Sequence, residues 1–146
     1  MGINFNHLVS FNEFKNHAPP ETKKQVFKLA EEVMKPIFQQ SGYRQFSTFI
    51  ITTTCPDSLA PSLGQALADK FNEELGSAQI IDMVQGCAGG VSSMILASQL
   101  AASKKEPVLL VNTDAAKKAT STSSKIHEIF GNGSFACVVE SDIGSK

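Results

Sequence analysis

A single cysteine set among small residues is where this chain offers chemistry. Gly86-Cys87-Ala88-Gly89-Gly90 follows the apolar run Ile80, Ile81, Met83 and Val84 and precedes a long helix-forming segment. The spacing predicts a short buried strand, then a turn carrying Cys87, then a helix. A thiol placed there gains two things. Small neighbours let a substrate carbonyl approach the sulfur, and the first amides of the helix, with their partial positive charge, favour thiolate. A free thiol titrates near ~8.5, and such a position lowers that value. Most free cysteines are instead small buried hydrophobes. The local pattern by itself leaves both roles open for Cys87.

The elements that must position this turn can be traced along the chain. His7-Leu8-Val9-Ser10-Phe11, within a stretch from Phe5, suits a first strand. Pro19-Pro20-Glu21-Thr22 suits a helix start, with prolines at the beginning and an acid in the first turn. Val26, Leu29, Ala30, Val33 and Ile37 share one helical face, and Pro36 is expected to kink or end that helix. Phe46 to Thr53, rich in Phe, Ile and Thr, predicts a second strand. Pro61-Ser62 opens a second helix with Leu63, Leu67, Phe71 and Leu75 on one stripe and Gly76 as its stop. Strand Gln79 to Val84 leads into the Cys87 turn. The helix from Ala88 to Ser103 is apolar on nearly every side, which predicts burial. Val108 to Val111 reads as a fourth strand, Asp114 to Ser124 as a polar loop, and Ser134 to Glu140 as a last strand after the Gly131-Asn132-Gly133 turn. Continuous apolar strands alternating with helices imply an α/β domain with a mostly parallel sheet covered on both faces. No repeat or change in composition divides residues 1–146, so one domain is expected.

Composition narrows the function classes. The chain has 146 residues, 42% hydrophobic and 18% charged, with a formal net charge of -1. Those values fit an ordinary globular protein and point neither to nucleic acid nor to an anionic membrane surface. No run approaches the ~20 apolar residues that span a bilayer, and the first residues have no basic start or apolar signal core. Three widely spaced cysteines, Cys55, Cys87 and Cys137, argue against a disulfide framework and against a zinc site. A reducing cytoplasm is the expected compartment, and no metal is expected.

Four segments in order carry a resemblance to a known family. They are the Cys87 turn, the strand ending in a Thr-rich, Pro-Asp loop Ile50-Ile51-Thr52-Thr53-Thr54-Cys55-Pro56-Asp57-Ser58-Leu59-Ala60-Pro61-Ser62, the strand Pro107-Val108-Leu109-Leu110-Val111-Asn112-Thr113-Asp114, and the turn and strand Phe130-Gly131-Asn132-Gly133-Ser134-Phe135-Ala136-Cys137-Val138-Val139. Together, from about Gln45 to Glu140, they resemble the N-terminal half of the 3-oxoacyl-carrier-protein (beta-ketoacyl-acyl-carrier-protein) synthase III group, thiolase-like condensing enzymes. Asn132 stands where that family usually has Asp. The resemblance implies a thiolase-like half-fold: a five-stranded mixed sheet with helices on both faces. It implies an acyltransferase in which Cys87 accepts an acyl group from acyl coenzyme A or an acyl-carrier-protein thioester, for condensation with malonyl-carrier protein in fatty acid or polyketide biosynthesis. The Cys87 amide would contribute to an oxyanion hole. Gly86, Gly89, Gly90 and Thr54 would bind substrate, with Thr53 and Pro56 beside them, and no bound cofactor is implied. Cys55 and Cys137 read as packing residues.

The family's Cys-His-Asn triad takes its His and Asn from a second half that these 146 residues do not match. His7, His17 and His127 fit no catalytic position. The segment between the first strand and the first helix is also short, and it normally carries an arginine near the coenzyme A entrance. The chain alone is therefore expected to be incomplete. It reads as half of a split enzyme, as a truncated ketoacyl synthase, or as a non-catalytic subunit using the half-fold for self-association. The apolar helix after Cys87 calls for a homodimer or a second chain supplying the C-terminal half, with pairing along Gln79 to Val84 as one contact. A hydrolase-type elbow with Cys in place of Ser is the alternative from another class. It would need His127 and Glu128, which adjoin rather than converge from separate strand ends.

Overall fold

The computed structural model describes residues 2–13, 25–43, 45–120, 123 and 125–142. The predicted helix start at Pro19 to Thr22, and His17, lie outside them. In chain order the elements are β1 (Ile3–Glu13), α1 (Gln25–Ser41), β2 (Thr48–Thr53), α2 (Leu63–Lys70), α3 (Asn72–Leu75), β3 (Gln79–Val84), α4 (Gly89–Lys104), β4 (Val108–Ala115), α5 (Lys125–Ile129) and β5 (Asn132–Ser141). A 3-10 turn at Ala116–Ala119 and α5 occupy ground predicted to be, or to adjoin, loop.

The five strands form one sheet in the order β1-β5-β4-β2-β3. β3, β2 and β4 run parallel, with Thr48 opposite both Gln79 and Val108. β5 is antiparallel to β4 and to β1, so the sheet is mixed. In β1 the register slips by one residue between Asn6 and Val9, and His7 there has φ 52°. That is a bulge on an edge strand, and it blunts the edge against further pairing.

Strand periodicity of two divides the core between the sheet's faces. Phe49, Ile51, Leu109, Val111, Ala136 and Val138 meet α1 and α2 through Val26, Val33, Ile37 and Leu67. Ile50, Val108, Leu110, Cys137 and Val139 meet α4 through Ala97 and Ala101. β2 lies between β3 and β4, and all six of its residues are buried. α2 starts on a capping box: Ser62 Oγ accepts from the Gln65 amide and the Gln65 side chain accepts from the Ser62 amide.

Three expectations need correction, and of the two outcomes expected at Pro36 one is excluded. Pro36 lies inside α1 without ending it. Val33, Met34 and Ile37 on either side of it are fully buried against the sheet, and that packing outweighs the lost backbone hydrogen bond. The stripe from Leu63 to Leu75 is split by Phe71, where backbone at φ -107°, ψ 45° leaves the helical region. The strand before Cys87 is not buried: β3 is an edge strand, and Val84 is 61% exposed. Nor is α4 buried all round. Gly89, Ser93, Ala97 and Ala101 face the sheet, while Val91, Met94 and Ile95 face out.

Candidate active-site turn at the head of helix α4

The Cys87 turn sits past the C-terminal end of β3, on the side where all three parallel strands end. In open α/β sheets that side is where ligands bind. The Gln85 amide donates to the Thr53 carbonyl at 3.2 Å, extending the β2–β3 ladder by one residue. The chain then closes a tight turn in which the Gly89 amide donates to the Gly86 carbonyl at 2.7 Å. Ala88 is the N-cap, with no side-chain cap, and the Ser92 amide donates to its carbonyl at 3.0 Å. Cys87 is exposed and unpaired. Among the described residues its amide makes no backbone hydrogen bond. Thiol and amide are thus presented together at the positive end of a sixteen-residue helix.

The three glycines around Cys87 differ in what they permit. A Cβ on Gly89 would lie 2.7 Å from Thr52 Cγ2 and 3.3 Å from Gln85 Cβ, so only glycine lets the first turn rest on β2. At Gly90 the nearest atom would be Asn112 Oδ1, at 3.7 Å. A side chain on Gly86 would meet nothing within 4 Å. Gly89 therefore seats the turn, a Cβ at Gly90 would stand in ordinary contact with Asn112, and Gly86 faces open space.

Thr54, expected beside the substrate, has its amide and hydroxyl committed to Asp114 Oδ1 at 2.8 and 2.5 Å. Thr53 Oγ1 donates to the same oxygen at 3.2 Å. One carboxylate oxygen so collects three donors and ties the end of β2 to the end of β4. Asp57 accepts from the Phe27 amide at 2.8 Å and from Lys118 Nζ at 2.7 Å, fixing the following loop. Thr52, Ser93, Asn112 and Asp114 were not picked out from sequence as site residues. The available signal for Thr52, Asn112 and Asp114 was polar side chains towards the ends of strands β2 and β4; Ser93, on α4, gave none.

An open cavity of about 370 Å³ lies at the ends of β4 and β5, lined by Ser10, Asn112, Thr113, Asp114, Gly133, Ser134 and Phe135. Burial pushes the Cys137 thiol up to about 11, which suits a packing residue. His7 stacks edge-on against Tyr43 at 6.1 Å, away from the turn and on the β1 bulge. The His127 side chain is outside the described positions. Among the described residues no cluster of His, Cys, Asp or Glu could hold a metal ion, and no helix is long and apolar enough to cross a membrane.

This sheet order, with a glycine-seated cysteine turn at the head of a sheet-facing helix, is a thiolase-like fold. Within that class the chain resembles the 3-oxoacyl-carrier-protein synthase III group. Residues 81–146 match the family 3-Oxoacyl-[acyl-carrier-protein (ACP)] synthase III. A 3-oxoacyl-(acyl-carrier-protein) synthase III of known structure is 27% identical over 88% of this chain and 38% of its own, with a TM-score of 0.76. The synthase III from Pseudomonas aeruginosa PAO1 superposes over 99% of this chain and 53% of its own (TM-score 0.78, 15% identity). An HMG-CoA synthase from Bacillus subtilis shares the fold at 13% identity over 94% of this chain and 39% of its own (TM-score 0.73). The chain thus spans between 38% and 53% of the length of these structures. No curated protein matches its sequence.

Proposed function

We propose that this chain is the nucleophile-bearing part of an acyltransferase of the 3-oxoacyl-carrier-protein synthase III type. The observation that supports it most is the joint exposure of Cys87 and its unpartnered amide at the head of α4. The Cys87 thiolate attacks the carbonyl carbon of an acyl thioester, from coenzyme A or a carrier protein. The carbonyl electrons move to oxygen, which the Cys87 amide and the first turn of α4 stabilise, a donor worth ~3 kcal/mol. Collapse breaks the bond to the departing sulfur, which leaves as a thiol after taking a proton, and the acyl group remains on Cys87. Condensation with malonyl-carrier protein then needs a decarboxylating His and Asn from outside these 146 residues. Thr54 acts in this scheme through Asp114, as part of the wall beside the turn, and Gly86, where a side chain would meet nothing within 4 Å, leaves the acyl approach open. The compartment is a reducing cytoplasm, which suits three free cysteines.

The exposed stripe of α4, Val91 at 63% and Ile95 at 55%, and the open edge at Val84 favour an assembled protein. The partner is a second copy or a chain supplying the C-terminal half, with β3 pairing as one contact. If Cys87 carries no acyl group, the same surface supports the second reading, a non-catalytic thiolase-like subunit. Mass spectrometry after incubation with acetyl coenzyme A or a longer acyl thioester tests the choice. An acyl mass on the wild type that is lost in Cys87→Ala supports the nucleophile. An acyl mass retained by Cys87→Ala removes Cys87 from the chemistry, and no acylation by any thioester selects the second reading.

A further inference from the structure

The floor beneath the first turn of α4 differs from the floor beneath the rest of the helix. Under the second and third turns the sheet offers Ile50 and Leu110, both fully buried. One pleat further along the same face it offers Thr52 and Asn112, which are register partners on β2 and β4. Thr52 touches the position of Gly89, and Asn112 lies below Gly90. Thr52 is 4% exposed, and its Oγ1 has no hydrogen-bond partner among the described residues; neither has the buried Asn112 Nδ2. Ser93, fully buried on the helix, sits between sheet and turn. Its Oγ is 2.8 Å from the Gly90 carbonyl oxygen and 3.2 Å from Asn112 Oδ1.

A hydroxyl has one proton and cannot donate well to two acceptors. The shorter contact, to Gly90, takes it. The Asn112 carboxamide turned half a rotation about its last bond presents nitrogen where oxygen stood. Asn112 then donates to Ser93, and Ser93 donates to Gly90, an ordered relay from β4 into the first turn. Its remaining unpartnered atom is a carbonyl oxygen, which tolerates burial better than an N–H.

We propose that Ser93 and Asn112 are positioning residues for the Cys87 turn: the relay Asn112 amide to Ser93 hydroxyl to Gly90 carbonyl anchors the first turn of α4 and fixes the direction of the Cys87 amide. This rests on the nucleophile assignment for its catalytic consequence, but the anchor itself does not. Thiol alkylation needs only an accessible sulfur. Attack on a thioester also needs the amide aimed at the developing oxyanion, and small misplacements there cost one to two orders of magnitude.

The test compares Asn112→Ala and Ser93→Ala with Ser98→Ala. Ser98 makes the same kind of helical hydroxyl bond, to the Met94 carbonyl at 2.8 Å, but without a link to the sheet. Amide hydrogen exchange is read at Gly89 and Ser92, bonded within the turn, and at Lys105, bonded to Ala101 at the far end. The expected result for Asn112→Ala and Ser93→Ala is exchange about fivefold to tenfold faster at Gly89 and Ser92 with Lys105 unchanged; Ser98→Ala leaves the turn as in the wild type. Cys87 acetylation by acetyl coenzyme A falls about tenfold or more in the two relay variants, while iodoacetamide alkylation stays within about twofold. Unchanged exchange at Gly89 and Ser92, or equal acceleration through Lys105, overturns the anchor. Local exchange as expected with undiminished acetylation overturns its role in positioning. A wild type that takes no acetyl group removes the nucleophile assignment and with it the positioning role, and exchange still decides the anchor.

Discussion

Replacing Gly89 by alanine isolates what seats the Cys87 turn. The new Cβ would lie 2.7 Å from Thr52 Cγ2, whereas carbon atoms rest at about 3.5–4.0 Å. Something must open by about 0.8 Å or more. Thr52 cannot easily yield, being β-branched, 4% exposed and on the strand flanked by β3 and β4. Gln85 Cβ at 3.3 Å closes the other side. The first turn of α4 must therefore lift, carrying Cys87 with it. Overpacking of this kind costs about 1–3 kcal/mol, and the better helix propensity of alanine returns at most about 1 kcal/mol. The expected net loss is about 1–2 kcal/mol, or roughly 3–6 °C in Tm for a chain of this size. Thr52→Ser removes the offending methyl and keeps the hydroxyl, so the pair should couple by about 1 kcal/mol in a double-mutant cycle read by urea denaturation. Cys87 acylation should fall about tenfold or more in Gly89→Ala and recover in the double variant. A Gly89→Ala protein as stable as the wild type, or effects that add within about 0.5 kcal/mol, would refute the steric argument.

Other perturbations follow from equally local features. Asp82 accepts from Ser62 Oγ and the Gly64 amide, both at 2.7 Å, at the head of α2; Asp82→Ala should cost about 1–2 kcal/mol, and an unshifted urea midpoint contradicts that. Cys137 is raised from 9.0 to about 11 by burial, so its contribution is whole below the unfolded value, where both states hold the proton. Between about pH 9 and 11 the unfolded chain loses the proton first, and stability falls by up to about 2–3 kcal/mol; Cys137→Ala should flatten that part of the profile, and an unchanged slope counts against it. Val84→Lys with Ile95→Lys should lower the solution mass of any assembly while far-ultraviolet circular dichroism keeps its native shape. An assembly that survives both charges does not use this edge and face.

How far the sequence revealed the fold depended on how many sides of each element are covered. β2 and the Val108 to Val111 part of β4 are interior strands with both faces packed, so a stretch rich in Phe, Ile and Thr announced the first and an unbroken apolar run the second. β3 carries a similar run yet lies on an edge, because composition reports what can be buried and not whether a neighbour is present. Pro36 does not end α1 for a related reason: its local cost is visible in sequence, while the buried contacts that offset it come from the sheet. The Cys87 turn was legible because its glycines, its cysteine and the abrupt change from strand to helix pattern lie within a few residues. Asn112, Ser93 and Thr52 were not. Each looks like an ordinary polar residue until the β2–β4 register and the approach of α4 bring them together.

That approach also decides what α4 leaves on the outer surface. α4 places Gly89, Ser93, Ala97 and Ala101, four residues apart, against the sheet, and a row of small side chains brings a helix axis close to what it packs on. An ordinary surface helix turns its large apolar residues inward; here Val91 and Ile95 are displaced outward. The close packing that requires glycine at position 89 accounts for both the seat of the Cys87 turn and the apolar surface left on the outer face of α4.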